Sequence, residues 1–136
     1  MPMNEMYSAL IQAALQVRQR AYVPYSHYAV GAALLTARGQ VYQGCNIENA
    51  AYPTSMCAER VAVYKAVSEG EKQFVTIVVA TENGGTPCGS CRQVLAEFGL
   101  DTVVIIVDGE GAIHQQTTVR DLLPGAFQPS DLGITP

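Results

Sequence analysis

The sequence predicts a three-layer α/β/α sandwich built on a mixed five-stranded sheet. Two stretches, 74–80 and 102–107, are continuously apolar and rich in β-branched residues, as is typical of strands buried on both faces. Helical patterns alternate with these stretches, which indicates a sheet covered by helices on both sides. A hairpin pattern at 28–45 adds antiparallel pairing, so the sheet should be mixed. Because the chain has 136 residues and 49% of them are apolar, we expect residues 1–136 to form a single domain.

The first half of the chain predicts one amphipathic helix and one hairpin. Asn4 is a suitable N-cap for the helix, and Pro24 ends it. The apolar stripe of the helix consists of Met6, Leu10, Ala13, Ala14, Val17 and Ala21. The elements expected after the helix are strands at 28–36 and 40–45, a connecting loop at 37–39 and an irregular stretch at 46–55. Pro53 blocks a helix in that last stretch.

The second half of the chain alternates helices with strands. Gly70 and Gly99 end two predicted helices at the C-cap, and Pro87 opens the second of them. Thr118 and Asp121 have the spacing of a capping box for a short last helix. The expected elements, in order, are a helix at 56–69, a strand at 74–80, a helix at 88–98, a strand at 102–107, a weaker strand at 112–117 and the short helix.

Charge and composition exclude several classes of partner. The net charge is −4, the isoelectric point is about 5.0, and the eight Lys and Arg residues are scattered, so we expect no nucleic acid polymer as partner. The sequence has no apolar run of about eighteen residues and no basic segment followed by an apolar one at its N-terminus. We therefore expect no membrane association and no signal peptide. Four cysteines in such a chain favour a cytoplasmic location, where thiols bind metals or react.

Three cysteines and one glutamate form the most informative pattern in the chain. Glu59 follows Cys57 by two positions, and Cys88 and Cys91 form a C-x-x-C pair directly after Pro87. Three thiolates can hold a zinc ion and leave its fourth position to water, and a nearby carboxylate can move the protons of that water. Both cysteine clusters fall at predicted helix starts, where free N–H groups stabilise thiolates. The pattern therefore favours a catalytic zinc site.

The residues alone leave two other interpretations of the cysteines open. A structural zinc site would need a fourth ligand, for which Cys45, His27 and His114 are the candidates. A redox-active disulfide between the cysteines of the C-x-x-C pair would need no metal. Glu59 two positions after Cys57, together with Pro87 directly before Cys88, favours the catalytic interpretation. The guanidinium of Arg60 can donate to thiolate sulfur and offset the net negative charge of three thiolates on Zn²⁺.

The order of C-x-E and P-C-x-x-C is the signature of zinc deaminases. The whole chain resembles the cytidine deaminases of the small, homotetrameric, three-cysteine zinc type. The resemblance rests on the stretches 25–32, 44–50, 57–60, 87–93 and 122–127. It implies a deaminase-like fold and hydrolysis of cytidine, and also of deoxycytidine, to uridine and ammonia by a zinc-bound hydroxide in pyrimidine salvage. The alternatives are a related small-molecule deaminase, such as one resembling blasticidin deaminase, and a non-catalytic zinc module.

The resemblance also implies roles for single residues at the metal. Cys57, Cys88 and Cys91 match the ligands of one zinc ion per chain. Glu59 matches the carboxylate that shuttles protons between water and the cytosine ring. Arg60 is expected to support the charge of the thiolates.

The substrate-binding residues come from other parts of the chain. Asn46 and Glu48 match the pair that hydrogen-bonds the ribose hydroxyls. Tyr28 stands where relatives more often have Phe in contact with the substrate ring. Phe127 matches an aromatic residue that reaches a neighbouring subunit's site and packs on the pyrimidine. The resemblance therefore implies a homotetramer with shared active sites and a small nucleoside as substrate.

Overall fold

The computed structural model describes residues 2–136. Its helices are α1 (Met3–Arg18), α2 (Ala58–Ser68), α3 (Gly89–Phe98) and α4 (Val119–Leu122), and its strands are β1 (Gly31–Thr36), β2 (Val41–Cys45), β3 (Phe74–Ala80), β4 (Val103–Val107) and β5 (Ile113–Thr118). Short 3₁₀ turns lie at Tyr52–Thr54 and Pro129–Leu132. The strand order is β2-β1-β3-β4-β5, in which β3 and β4 are parallel and the other pairs antiparallel. The predicted mixed five-stranded sheet is confirmed.

Both faces of the sheet are covered because the central strands send alternate apolar side chains to two separate cores. On β1, Ala32 and Leu34 belong to the core under α2, α3 and α4, whereas Ala33 and Leu35 belong to the core under α1. Strands β3 and β4 alternate in the same way. Burying each aliphatic side chain of Val, Leu or Ile size contributes about 1.5–3 kcal/mol. The two cores therefore produce the predicted three-layer sandwich.

Helix α2 lies against the sheet at Gly44 of β2. A Cβ atom at this position would overlap the carbonyl oxygen of Ala58 and the amide nitrogen of Ala62, both in the backbone of α2. Only glycine allows this approach, because neither backbone atom can move without displacing the helix. Since Cys57 caps α2, the contact also sets how deeply Cys57 and Glu59 reach into the molecule.

The ends of α1 differ from the prediction. The helix starts at Met3 with Pro2 as its N-cap residue, so Asn4 lies inside the helix and is not the cap. It ends at Arg18, which leaves Ala21 outside the helix. Beyond Arg18, the N–H groups of Arg20 and Ala21 donate to carbonyl oxygens three positions back, and the N–H of Tyr22 donates to the carbonyl oxygen of Asn46. The last predicted turn is therefore a tighter, non-α turn, after which the chain pairs with the segment following β2.

Strand β1 begins at Gly31, later than the predicted position 28, because a side chain takes up the backbone groups before it. The Asn46 amide accepts from the N–H of Val30 at 2.9 Å and donates to the carbonyl oxygen of Tyr28 at 2.8 Å. The segment before β1 is therefore tied to Asn46 and does not extend the ladder. These two bonds hold Tyr28 beside the end of β2.

Other predicted boundaries are confirmed or shift by a residue or two. Glu69 is the C-cap residue of α2, and Gly70, predicted at the cap, follows it with a φ of +91°, the left-handed conformation that glycine favours just after a helix. The Thr118 hydroxyl accepts from the N–H of Asp121 at 3.2 Å and caps α4. Within residues 2–136, no helix is both long and apolar enough to cross a membrane.

Candidate active site

Three cysteine sulfurs meet where α2 and α3 begin. Cys57 and Cys88 are the N-cap residues of the two helices, and Cys91 lies in the first turn of α3. Both caps have extended backbone, so each side chain projects from a helix start toward the other helix. Free N–H groups and the positive end of the helix dipole favour thiolates at such positions. Sequence patterning had placed the three residues at helix starts, and the fold brings those starts together.

The sulfur cluster has the dimensions of a zinc site. The Sγ atoms of Cys57 and Cys88 are 3.8 Å apart, those of Cys88 and Cys91 are 3.5 Å apart, and all three lie within 4.8 Å of one another. Zn–S bonds of about 2.3 Å in a tetrahedral site place sulfurs about 3.8 Å apart. The three thiols therefore fit one zinc ion. Cys45, His27 and His114, the candidates for a fourth ligand, do not join the cluster.

The thiols of the cluster strongly affect one another's ionisation. Hydrogen bonding with Cys91, together with the Arg60 guanidinium, lowers the pKa of Cys57 to about 5. The same bond raises the pKa of Cys91. An Arg60 N–H donates to the Cys57 sulfur at 3.2 Å, and this bond raises the pKa of Arg60. Arg60 therefore lies as a cation beside the Cys57 sulfur.

Glu59 lies next to the cluster and is almost fully buried. Its residue is 5% exposed, and burial raises the pKa of the carboxyl to about 6. A carboxyl with a pKa near neutrality can both accept and return a proton under physiological conditions. Glu59 is not one of the three clustered metal-ligand candidates. Its position leaves the carboxyl free for proton transfer.

A cavity of about 280 Å³ opens beside the cysteines and Glu59. This volume is just below the usual range of ligand sites, roughly 300–1,000 Å³, and suits a small molecule. The predicted site residues that line it are Tyr28, Asn46, Glu48, Cys57, Glu59 and Cys88. The lining residues that were not predicted are Ser26, Val30, Ala58, Val79, Thr81, Gly85 and Thr86.

The Glu48 carboxylate is anchored by hydrogen bonds from the segment before β1. Its Oε1 accepts from the backbone N–H groups of Tyr25 at 3.0 Å and Ser26 at 3.1 Å. Hydrogen bonding with the Ser26 side chain and with these N–H groups lowers the pKa of Glu48, so the group is ionised near neutrality. The bonds also fix the orientation of the carboxylate in the cavity wall.

Asn46 also has a structural role that the sequence did not indicate. Its Oδ1 and Nδ2 already bond to the backbone of Val30 and Tyr28. A primary amide has two donor hydrogens and two acceptor lone pairs, so one of each remains for a ligand. Asn46 is thus both a structural tie and a member of the cavity wall.

Phe127 lies outside the cavity of its own chain. It is 56% exposed and does not line the cavity. The Gln93 side-chain amide donates to its carbonyl oxygen at 2.9 Å, which holds the segment after α4 against α3. An exposed aromatic ring on an anchored segment can contact another molecule.

Comparisons with known proteins agree with this geometry. The family model for the cytidine and deoxycytidylate deaminase zinc-binding region matches residues 4–107. The chain belongs to this deaminase family. It is 51% identical over 126 residues to a cytidine deaminase of Halalkalibacterium halodurans, covering 90% of this chain and 95% of the relative. A cytidine deaminase of Sporosarcina psychrophila is 48% identical over 125 residues, which cover 90% of this chain and 92% of the relative.

Solved structures of the deaminase family share the fold. The crystal structure of a cytidine deaminase from Burkholderia pseudomallei superimposes with a TM-score of 0.85 at 42% identity, covering 93% of this chain and 100% of that chain. A Mycobacterium tuberculosis cytidine deaminase gives a TM-score of 0.79 at 37% identity, over 89% of this chain and 96% of that chain. The predicted fold class, the zinc-dependent hydrolytic deaminase class and the zinc cofactor are confirmed.

Proposed function

We propose that this protein deaminates cytidine, and also deoxycytidine, to the corresponding uridine and ammonia. The observation that carries this proposal is a zinc-sized cluster of three sulfurs beside a buried carboxyl, at the edge of a cavity of small-molecule size. The relatives at 48% and 51% identity are cytidine deaminases. That residues 1–136 act as one catalytic domain stays a prediction.

The residues at the cluster divide the chemistry between them. Cys57, Cys88 and Cys91 would hold the zinc ion, which when bound supplies a water of lowered pKa. Glu59 takes a proton from that water as oxygen adds to C4 of the cytosine ring. It passes that proton to N3, then takes the second proton from the hydroxyl now on C4 and gives it to the amino group, which leaves as ammonia while the C4 carbonyl forms. Water and cytidine thereby become uridine and ammonia, and Glu59 ends in its starting protonation state.

The wall of the cavity favours a nucleoside over a nucleotide. Glu48 and Asn46 each retain hydrogen-bonding capacity for ribose hydroxyls. Among the described residues that line the cavity, none is Lys or Arg. A 5′-phosphate would therefore meet no cation among these lining residues. This charge pattern supports the nucleoside as the substrate.

We also propose a homotetramer in which Phe127 completes a neighbour's site. The support is the exposure of this ring away from its own cavity and the bond from Gln93 that anchors its segment. A chain of this size encloses a nucleoside poorly, and an aromatic ring from the next subunit would cover the base.

An absorbance assay tests the proposed function. The zinc-loaded protein is incubated with cytidine, deoxycytidine or deoxycytidylate, and the loss of cytosine absorbance is followed. We expect turnover of both nucleosides and a much lower kcat/KM for the nucleotide. Absence of cytidine turnover by a protein with one zinc per chain would overturn the proposal. A preference for the nucleotide would contradict the argument from the charges of the cavity wall.

A further inference from the structure

The loop between β3 and α3 forms one wall of the cavity, and Tyr28 forms the wall opposite. Thr81, Gly85 and Thr86 of this loop line the cavity, as does Tyr28. The half-buried Tyr28 side chain crosses to the loop, where its hydroxyl donates to Oδ1 of Asn83 at 2.7 Å. The two walls are therefore in direct contact.

Gly85 lies directly against the same hydroxyl. A Cβ atom at this position would overlap the Tyr28 oxygen, while the next neighbours are Tyr28 Cζ at 3.6 Å and Asn83 Oδ1 at 3.7 Å. These two are ordinary van der Waals distances. Gly85 is not among the glycines with positive φ, so its backbone conformation is open to alanine. The Tyr28 hydroxyl is therefore the atom that a methyl group at position 85 would have to displace.

The loop cannot move aside easily, because hydrogen bonds hold it on the other side of Gly85. The N–H of Gly85 donates to the Thr81 hydroxyl at 2.7 Å. Arg92 of α3 donates to the Thr86 hydroxyl at 3.2 Å and to the Pro87 carbonyl at 2.8 Å. A side chain at position 85 would therefore displace the Tyr28 ring, which contacts the cavity, more readily than it would displace the loop.

We propose that Asn83 and Gly85 are positioning residues that fix the ring of Tyr28 at the substrate cavity. The Asn83 side chain accepts a hydrogen bond from the Tyr28 hydroxyl and so fixes the position of the ring. Gly85, which has no side chain, leaves the space that the hydroxyl occupies. The hydrogen bond between Tyr28 and Asn83 is exposed, so water competes for it. We therefore expect the steric fit at Gly85 to contribute more than this bond to the position of the ring. The identity of the substrate in this inference rests on the proposed function, but the contact itself does not.

Kinetics of paired variants test the inference. Gly85→Ala should raise KM for cytidine by up to roughly 5- to 150-fold, the range for losing one contact between an aromatic ring and a base when the Tyr28 ring is displaced, with a much smaller change in kcat. Tyr28→Phe removes the overlapping oxygen, so the double variant Tyr28→Phe/Gly85→Ala should have the KM of Tyr28→Phe alone. Tyr42→Phe is the matched control, because the Tyr42 hydroxyl donates to Glu69 at 2.9 Å outside the cavity. It should not rescue Gly85→Ala.

The role of Asn83 is tested in the same way. Asn83→Ala should raise KM by roughly 2- to 12-fold when Tyr28 is present, the range of one hydrogen bond. It should have no effect in the Tyr28→Phe background, since the hydroxyl that Asn83 accepts is then gone. An equal effect in both backgrounds would show that Asn83 acts independently of Tyr28 and would overturn its positioning role.

Thermal unfolding provides a readout that does not depend on activity. Gly85→Ala should lower Tm by several degrees in the presence of Tyr28 and by much less in the Tyr28→Phe background. Zinc content should remain at one per chain throughout. If Gly85→Ala has the same effect on Tm in both backgrounds, or none in either, the inference is wrong. A protein that fails to deaminate cytidine would contradict the proposed function. The Tm comparison would still show whether Gly85 and the Tyr28 hydroxyl are in contact.

Discussion

At the scale of single residues, Glu59 owes its properties to where α2 begins. It lies in the first turn of a helix packed closely on the sheet, and burial raises the pKa of its carboxyl to about 6. An exposed glutamate has a pKa of about 4.3 and would rarely hold a proton near neutrality. Burial therefore converts an ordinary side chain into a group suited to accept and return protons.

Replacing Glu59 tests this property directly. Glu59→Ala should retain one zinc per chain and a folded structure, because the carboxyl is not one of the clustered ligand candidates. Turnover of cytidine should fall by roughly 10⁴-fold or more, the upper end for a general acid–base group, since the proposed shuttle role includes more than one proton transfer. Glu97→Gln, on the exposed side of α3, is the control and should have wild-type activity. Retention of a tenth of wild-type turnover by Glu59→Ala would exclude the shuttle role.

Replacing Cys45 tests whether the zinc ion has three protein ligands. It is half-buried at the end of β2 and lies outside the sulfur cluster. Metal analysis of Cys45→Ala should still find one zinc per chain, whereas Cys91→Ser should lose tightly bound zinc. Loss of zinc from the Cys45 variant would mean that the three-ligand assignment is wrong.

Site residues that are metal ligands or acid–base groups could be predicted from the sequence. Site residues that only shape the cavity could not. The cysteines and Glu59 form a recognisable spacing, so their meeting at one site was expected. Thr81, Gly85 and Thr86 line the same cavity but form no pattern in the sequence. Their positions depend on how the loop after β3 is folded back, which is a tertiary effect. One usable signal was present, because a loop between a strand and a predicted metal-binding helix must pass the metal.

At the scale of secondary-structure elements, the site depends on the depth at which α2 packs on the sheet. Gly44 brings the backbone of α2 into contact with β2. The packing of α2 on β2 therefore fixes where the helix start that carries Cys57 lies. The cysteines themselves do not determine this position.

Gly44→Ala should destabilise the protein because the new methyl group would overlap the backbone of α2. We expect a loss of about 1–3 kcal/mol in the free energy of unfolding, or more if the helix cannot shift. Thermal or denaturant unfolding measures the change. Gly89→Ala is the matched control, since a Cβ at this first position of α3 meets nothing within 4 Å. The control should be neutral or slightly stabilising, and a Gly44 variant as stable as the control would contradict the close-packing argument.

The elements themselves were predictable because their periodicity is strong, and their ends were less so. The buried strands β3 and β4 lie within one residue of the predicted bounds. The starts of α1 and β1 were wrong because both depend on partners distant in sequence or on weak capping preferences. For β1, the side chain of Asn46 competes for the backbone groups of Tyr28 and Val30. Such competition is not visible in local sequence patterns.

At the scale of the whole molecule, the proposed tetramer would complete each cavity with a ring from another chain. Phe127→Ala should raise KM for cytidine by roughly 5- to 150-fold, the range expected for one base stacked on one aromatic ring. The Phe127→Ala chain is then mixed with a Glu59→Ala chain under conditions where subunits exchange. Hybrid sites that pair an intact Glu59 with an intact Phe127 should restore activity with a low KM.

The control for the mixing experiment uses a chain that carries both substitutions. Mixing Phe127→Ala with Phe127→Ala/Glu59→Ala should restore nothing, because no intact Phe127 is then present. If exchange is demonstrated and the first mixture also stays at high KM, Phe127 acts within its own chain and the shared-site proposal is wrong.

The sulfur cluster also has a consequence for folding. Cys57 and Cys88 are 31 positions apart, so one ion bound to both closes a loop of that length between two helices. A covalent cross-link over such a loop stabilises a protein by about 3–4 kcal/mol through the entropy of the unfolded chain. Chelation should therefore lower Tm markedly, and returning zinc should restore it, whereas Glu59→Ala should not change Tm in this way. The amount of folded protein in a cell, and not only its turnover rate, would then follow the supply of zinc.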